Sequence, residues 1–227
     1  MTLKKLFNLS EAGALSLILC ATPSIHASVP GQPAQPSEKA ASAQALPASG
    51  TYKIDPDHSF AFFGARHHVV GLVRGRFDKV TGTFTSSPDP ASCSVDVTID
   101  VSTISTQIIE RDEDLRGPSY FDVTKFPAMT YQGRGIRRAS ANSWTMDGSL
   151  TMHGVTKVVP LTFTFNGPFT DIKPGRPARV AFHGAAGVKR AEFGMGARDN
   201  LAELGILTTP DVEIQIDVEA DAATPGQ

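Results

Sequence analysis

The feature that most constrains this chain is a strict alternation of apolar and polar residues in one short segment after another. Val95, Val97, Ile99 and Val101 alternate with Ser94, Asp96, Thr98 and Asp100. Val212, Ile214, Ile216 and Val218 do the same against Asp211, Glu213, Gln215 and Asp217. Trp144, Met146, Gly148, Leu150 and Met152 form a third such row, and Leu161, Phe163 and Phe165 a fourth. Successive strand side chains point to opposite faces, so each segment has one oily and one wet face. Further strands are predicted over 52–54, 58–67, 73–85, 128–138 and 179–189, separated by turn residues such as Asn166-Gly167-Pro168. The charged run Glu110–Arg116 predicts a single helix over 106–116, and His68–Gly71 a short helical turn. One apolar face per strand calls for one shared interior. The expected fold is therefore all-β: an antiparallel barrel of about eight strands with the helix near one opening, which leaves no exposed edge. A two-sheet sandwich is the alternative.

The chain starts with Lys4 and Lys5, an apolar run from Ala12 to Ala21, and Ile25-His26-Ala27. This is the three-part layout of a secretory signal peptide, with cleavage expected after Ala27. The run is too short to span a bilayer, which needs about 20 residues. Leu19 before Cys20 argues against lipid attachment there, since a lipoprotein signal carries a small residue at that place. Residues 28–50, rich in Pro, Ala and Ser, read as a disordered linker. One domain is expected over 51–220, with a disordered tail at 221–227. The expected location is periplasmic or secreted.

Twenty-one basic residues stand against 23 acidic ones, so no basic excess draws the chain to nucleic acid. After cleavage only Cys93 remains of the two cysteines, and one thiol forms no internal disulfide. His67 and His68 are adjacent, which puts them on opposite faces of a strand. No metal site and no cofactor are expected, and no nucleophile elbow or phosphate loop is present. Glu110, Asp112, Glu113 and Asp114 read as a solvated helix face.

Small residues on the predicted inward faces raise a further question. Ala61 and Ala65 share a face with Phe63; Gly133 and Gly135 with Met129 and Tyr131; Gly184 and Ala186 with Phe182 and Val188. Interiors pack to a density near 0.74, so missing volume is filled by neighbours or by a ligand. Trp144, Met146 and Met152 are long enough to be those neighbours.

An ordered series of motifs resembles the YceI-like proteins. It opens with Tyr52-Lys53-Ile54-Asp55, His58-Ser59, Arg66-His67, Arg74-Gly75-Arg76-Phe77 and Gly82-Thr83-Phe84. It continues with Val95–Ile99, Glu110-Arg111-Asp112, Leu115-Arg116, Phe121-Asp122 and Phe126-Pro127. It ends with Gly148, Leu150-Thr151, Gly154-Val155-Thr156-Lys157, Arg190 and Phe193-Gly194. The resemblance implies a lipocalin-like barrel that binds a polyisoprenoid, such as an isoprenoid quinone, with homodimers and transient membrane contact as expected associations. Asp114, Val158, Ala61 and Ala65 depart from the pattern, and the two alanines would widen one wall.

On this reading the ligand is an isoprenoid lipid. Its expected contacts on the early strands are Ala61, Phe63, Ala65, Phe77, Val97 and Ile99. Those on the later strands are Met129, Tyr131, Trp144, Leu150 and Met152, then Leu161, Phe163 and Phe182. His67 is expected among them near a mouth, where Arg66, Arg116 and Tyr131 would also offer donors to a head group. Phe60 and Phe62 are expected under a loop or a partner subunit. The protein is expected not to be an enzyme. The rivals are a periplasmic hydrolase or redox enzyme using His67 and the 110–114 carboxylates, and an interaction module without a ligand.

Overall fold

Strand alternation resolves into one antiparallel sheet that closes on itself. The computed structural model describes residues 45–67, 71–170, 175–195 and 211–223, with Arg66, His67 and Asp211 described by their backbone alone. The expected signal peptide, its cleavage site, most of the linker and the helical turn at 68–70 lie outside these residues.

In chain order the first half holds β1 (Gly50–Ile54), β2 (Phe60–His67), β3 (Gly71–Phe77), β4 (Val80–Ser86), β5 (Ser94–Asp100) and β6 (Ile104–Ser105). The helix α1 (Ile109–Arg116) follows. The second half holds β7 (Ala128–Arg134), β8 (Arg137–Arg138), β9 (Trp144–Met152), β10 (Val155–Phe169), β11 (Arg179–Lys189) and β12 (Asp211–Ala222). Pairing runs β1-β4-β5-β7-β9-β10-β11-β12, and β12 returns to β1. Eight strands therefore complete an antiparallel barrel.

The long β12 holds two partners in succession. Val212 to Asp217 pair with β2, and Ala220 to Ala222 pair with β1. The step between them is a one-turn 3-10 helix at Pro56–His58. Ser59 bridges the gap: its Oγ donates to Glu219 O and accepts from Glu219 N. The predicted strand 73–85 is two strands, because Asp78 and Lys79 form a corner at which the chain leaves β2 and joins β1. The final strand runs to Ala222, two residues past the expected domain end. At the other boundary, residues 45–49 pack on the barrel rather than hang free: Pro47 is buried and its carbonyl accepts from Ser86 Oγ at 2.7 Å.

The β9–β10 hairpin turns on His153 and Gly154, both at positive φ, as a two-residue primed turn demands. The helix begins at Ile109, three residues later than expected from the sequence, because Thr106 and Gln107 are drawn into the strap that fastens it.

The interior has two unequal halves. At the end formed by β1 and the starts of β9 and β11, Tyr52, Cys93, Trp144, Phe165 and Val180 are buried and packed. Towards α1, the inward side chains Val95, Phe182, Ile214 and Ile216 keep part of their surface open although they face the barrel axis. They have space in front of them rather than atoms.

Candidate functional site

That space is a cavity of about 200 Å³ inside the half of the barrel nearer α1. An apolar cavity of roughly 150 Å³ stays dry and takes up a small hydrocarbon. Strands β1, β2, β3, β4, β5, β7, β9, β10, β11 and β12 each give inward residues to the wall. The helix side is closed by Leu115, Tyr120 and Phe121, and the start of the β11–β12 connection adds Arg190 and Met195. Among the described residues Arg190 is the one charged side chain on the wall.

Most of the residues expected on the wall are there. Ala61, Phe63, Ala65, Phe77, Val97 and Ile99 line the cavity from the first half of the chain. Met129, Tyr131, Leu150, Met152, Leu161, Phe163 and Phe182 line it from the second. Trp144 does not. It sits in the packed half, with the Arg138 guanidinium 4.1 Å from its ring centroid. Its buried Nε1 has no hydrogen-bond partner among the described residues. The His67 side chain lies outside what is described.

Several wall residues escaped the sequence reading. Ile214, Ile216 and Val218 were legible from the alternation of β12. Phe121 carried a weaker signal, as part of the Phe121-Asp122 motif. It meets Phe77 edge to face at 5.6 Å, and Phe77 in turn meets Phe63 at 5.7 Å. Phe60 and Phe62 pack on each other at 6.0 Å, with Arg76 above Phe60.

Tyr131 does not serve as a free head-group donor. Its OH donates towards the carbonyls of Val159 and Met146, at 3.0 and 3.3 Å. Burial first, then the Asp147 charge, push its pKa up to about 12. The ring lies over Gly148, where a Cβ would collide with it, and Met146 covers Gly133 in the same way. Those two glycines face each other in register. Their missing volume is filled by neighbours, so the cavity comes from elsewhere on the wall.

Residues 52–220 match the YceI-like domain. The chain belongs to the YceI-like family. A UPF0312 protein of Yersinia pestis is 31% identical over 171 residues, covering 72% of this chain and 87% of its own. A UPF0312 protein of Pseudomonas aeruginosa is 33% identical over 147 residues, covering 63% and 75%. Among solved structures, the Campylobacter jejuni YCEI protein is similar with a TM-score of 0.59 and 25% identity, covering 70% of this chain and 90% of that one. A polyisoprenoid binding domain from Saccharophagus degradans matches with a TM-score of 0.57 over 76% and 98%; at 16% identity the likeness speaks to the fold alone.

The charged motif of this YceI-like chain is a fastening. Asp112, expected on a solvated helix face, is buried instead, and accepts from the Thr106 amide at 2.7 Å and from its hydroxyl at 2.5 Å. Arg111 donates to Thr106 Oγ1 and O. Arg116, expected near a head group, donates instead to the carbonyls of Ser102 and Ile104. Glu110, Glu113 and Asp114 are exposed. The motif thus holds α1 against the strap at 102–106, which keeps Leu115 and Phe121 over the bore.

A second charged cluster lies where β1 leaves β12. Arg179 donates to Asp221 at 2.7 and 2.9 Å, to Glu219 at 2.5 Å and to Asp55 at 2.8 Å. Asp55 also meets His58 at 2.9 Å. Burial raises the Asp55 pKa, but the bonds from His58, the Asp57 amide and Arg179 outweigh it and hold the pKa below its ordinary value. Ligand-type atoms of Asp55, His58 and Glu219 come within 4.8 Å of one another. The guanidinium already supplies the positive charge between those carboxylates.

Proposed function

We propose that this YceI-like domain is an exported binding protein that holds the tail of a polyisoprenoid, such as an isoprenoid quinone, in its half-hollow barrel for transport or storage. The observation that carries the reading is the cavity itself, walled by carbon and asymmetric in polarity. Arg190 and Tyr120 stand at the helix end, and the opposite end is hydrocarbon. A prenyl tail has nothing to hydrogen-bond and needs such a wall. Burying several hundred Å² of it at about 25 cal/mol per Å² would release on the order of 10 kcal/mol before the ligand's lost freedom is counted. The head would face Arg190 and Tyr120. The name of the Saccharophagus relative points to the same ligand class.

The leader at 1–27 supports export to the periplasm. Ile108 and Ile109, exposed at the start of α1, would give the helix end transient contact with a bilayer. Homodimerisation is proposed from the family resemblance alone. The hollow interior favours a binder over a ligand-free module. Of the carboxylates that the hydrolase or redox reading would use, Asp112 is spent on Thr106, while Glu110, Glu113 and Asp114 stay exposed.

Titration of the mature protein with a fluorescent prenyl alcohol tests the proposal. Saturable binding, competed by a quinone and weakened in Ala65→Trp, is expected. Absence of saturable binding to any prenyl compound would remove the reading.

A further inference from the structure

The cavity stops part-way along the barrel, and two rings stop it. Phe84 on β4 and Phe182 on β11 meet edge to face with centroids 4.9 Å apart. Their strands are not neighbours, for β1 and β12 run between them in the sheet. The contact therefore spans the interior rather than following the wall. Tyr52 extends it on one side, 6.3 Å from Phe84. Phe163 and Phe165 extend it on the other, 6.4 and 6.2 Å from Phe182.

Both bridging rings touch the cavity, whereas Tyr52 and Phe165 do not. Phe165 is 1% exposed and Val180 beyond it is fully buried. The step from open to filled space thus falls within one inward position on each strand: Phe182 to Val180 on β11, and Phe163 to Phe165 on β10. Edge-to-face aromatic pairs have a preferred geometry and a large contact area, so the two rings hold each other across the bore. Ala220, the small residue paired with Val180, is the last of β12 on the cavity wall and leaves the room in which the rings meet.

We infer that the Phe84–Phe182 bridge is the floor of the site and sets the longest apolar tail that enters it. The inference rests on the tail-binding reading above and adds a specificity determinant to it. A tail entering from the helix end gains contact with each prenyl unit until it reaches the rings. The next unit must stay in water or push the rings apart.

A series of prenyl alcohols, from geraniol through farnesol and geranylgeraniol to longer polyprenols, reads this directly. Affinity of the wild-type chain should rise by at least about tenfold per unit, then level off or fall at one length. Phe182→Ala and Phe84→Ala should move that break to a longer alcohol. Phe182→Leu, which keeps most of the packing, serves if an alanine variant does not fold, and should move it in the same direction. A break at the same length in every folded variant overturns the floor while leaving the binding reading intact, as does steady gain with no break in the wild type. If the wild type binds no prenyl alcohol of any length, the binding reading fails and the floor falls with it.

Discussion

The two halves of the barrel are built from the same alternating strands and differ in what their inward residues meet. On β11 Val180 is fully buried, whereas Phe182, two positions along, faces open space. On β10 Phe165 is buried away from the cavity, and on β12 Ile214 and Ile216 keep part of their surface. The packed half behaves as an ordinary core, in which every methylene has neighbours on all sides. The hollow half has apolar side chains with neighbours behind and none in front, and so forgoes dispersion contacts that a ligand would restore. Stability and binding are thus concentrated at opposite ends of one barrel.

That contrast is broken most sharply by truncation. Phe165→Ala should cost about 3–5 kcal/mol in chemical denaturation, because it empties a filled site. Ile216→Ala should cost only about 1–2 kcal/mol, since its contacts on the cavity side are missing already. Equal losses would mean that the hollow half is packed.

The Arg179 cluster ties the packed half together. Arg179→Ala should cost about 2 kcal/mol, leaving Asp55, Glu219 and Asp221 facing one another without their cation; partial exposure of Glu219 limits the effect. The same cluster fixes an acid dependence. The Asp55 carboxyl is held below its ordinary value of 3.8, so its contribution is fully present above that value and is lost as the pH falls through the lower, folded value. An Asp55→Asn variant should show a shallower loss of stability in acid.

Tyr131 gives a smaller effect of opposite sense. Its hydroxyl titrates near 12 in the folded protein against an ordinary 10.0, so the stabilisation is whole below 10 and is lost as the pH rises towards 12. Tyr131→Phe should cost about 1 kcal/mol at neutral pH and remove part of the alkaline loss, read by pH-dependent urea melts. The smallest stability effect is expected in the hollow half. Ala65→Trp should change stability by less than about 1 kcal/mol, because open space receives the ring, and should abolish most prenyl binding. Strong destabilisation with unchanged binding would reverse the assignment of the two halves.

The sequence made the barrel legible because period two leaves little choice for strands such as β5, β9 and β12. It made most of the wall legible for the same reason: inward phase is set once a strand is placed. What it concealed depends on partners distant in the chain. The corner at Asp78–Lys79 carries no glycine or proline, and only the exchange of β2 for β1 explains it. Asp112 looked like one more charge on a wet helix until Thr106 was seen to lie beneath it. Trp144 has the right phase for the wall but lies one inward position beyond the cavity on β9, past Met146. The Phe84–Phe182 contact reaches across two intervening strands, which no local pattern encodes.

Native mass spectrometry of the mature protein purified from its own cells, followed by organic extraction, bears most directly on the hollow half as a lipid site. The account predicts a stoichiometric adduct that organic solvent releases as a prenyl lipid, and its absence from Ala65→Trp prepared in parallel. A bare protein mass, with no prenyl lipid in the extract and none taken up on incubation, would contradict it.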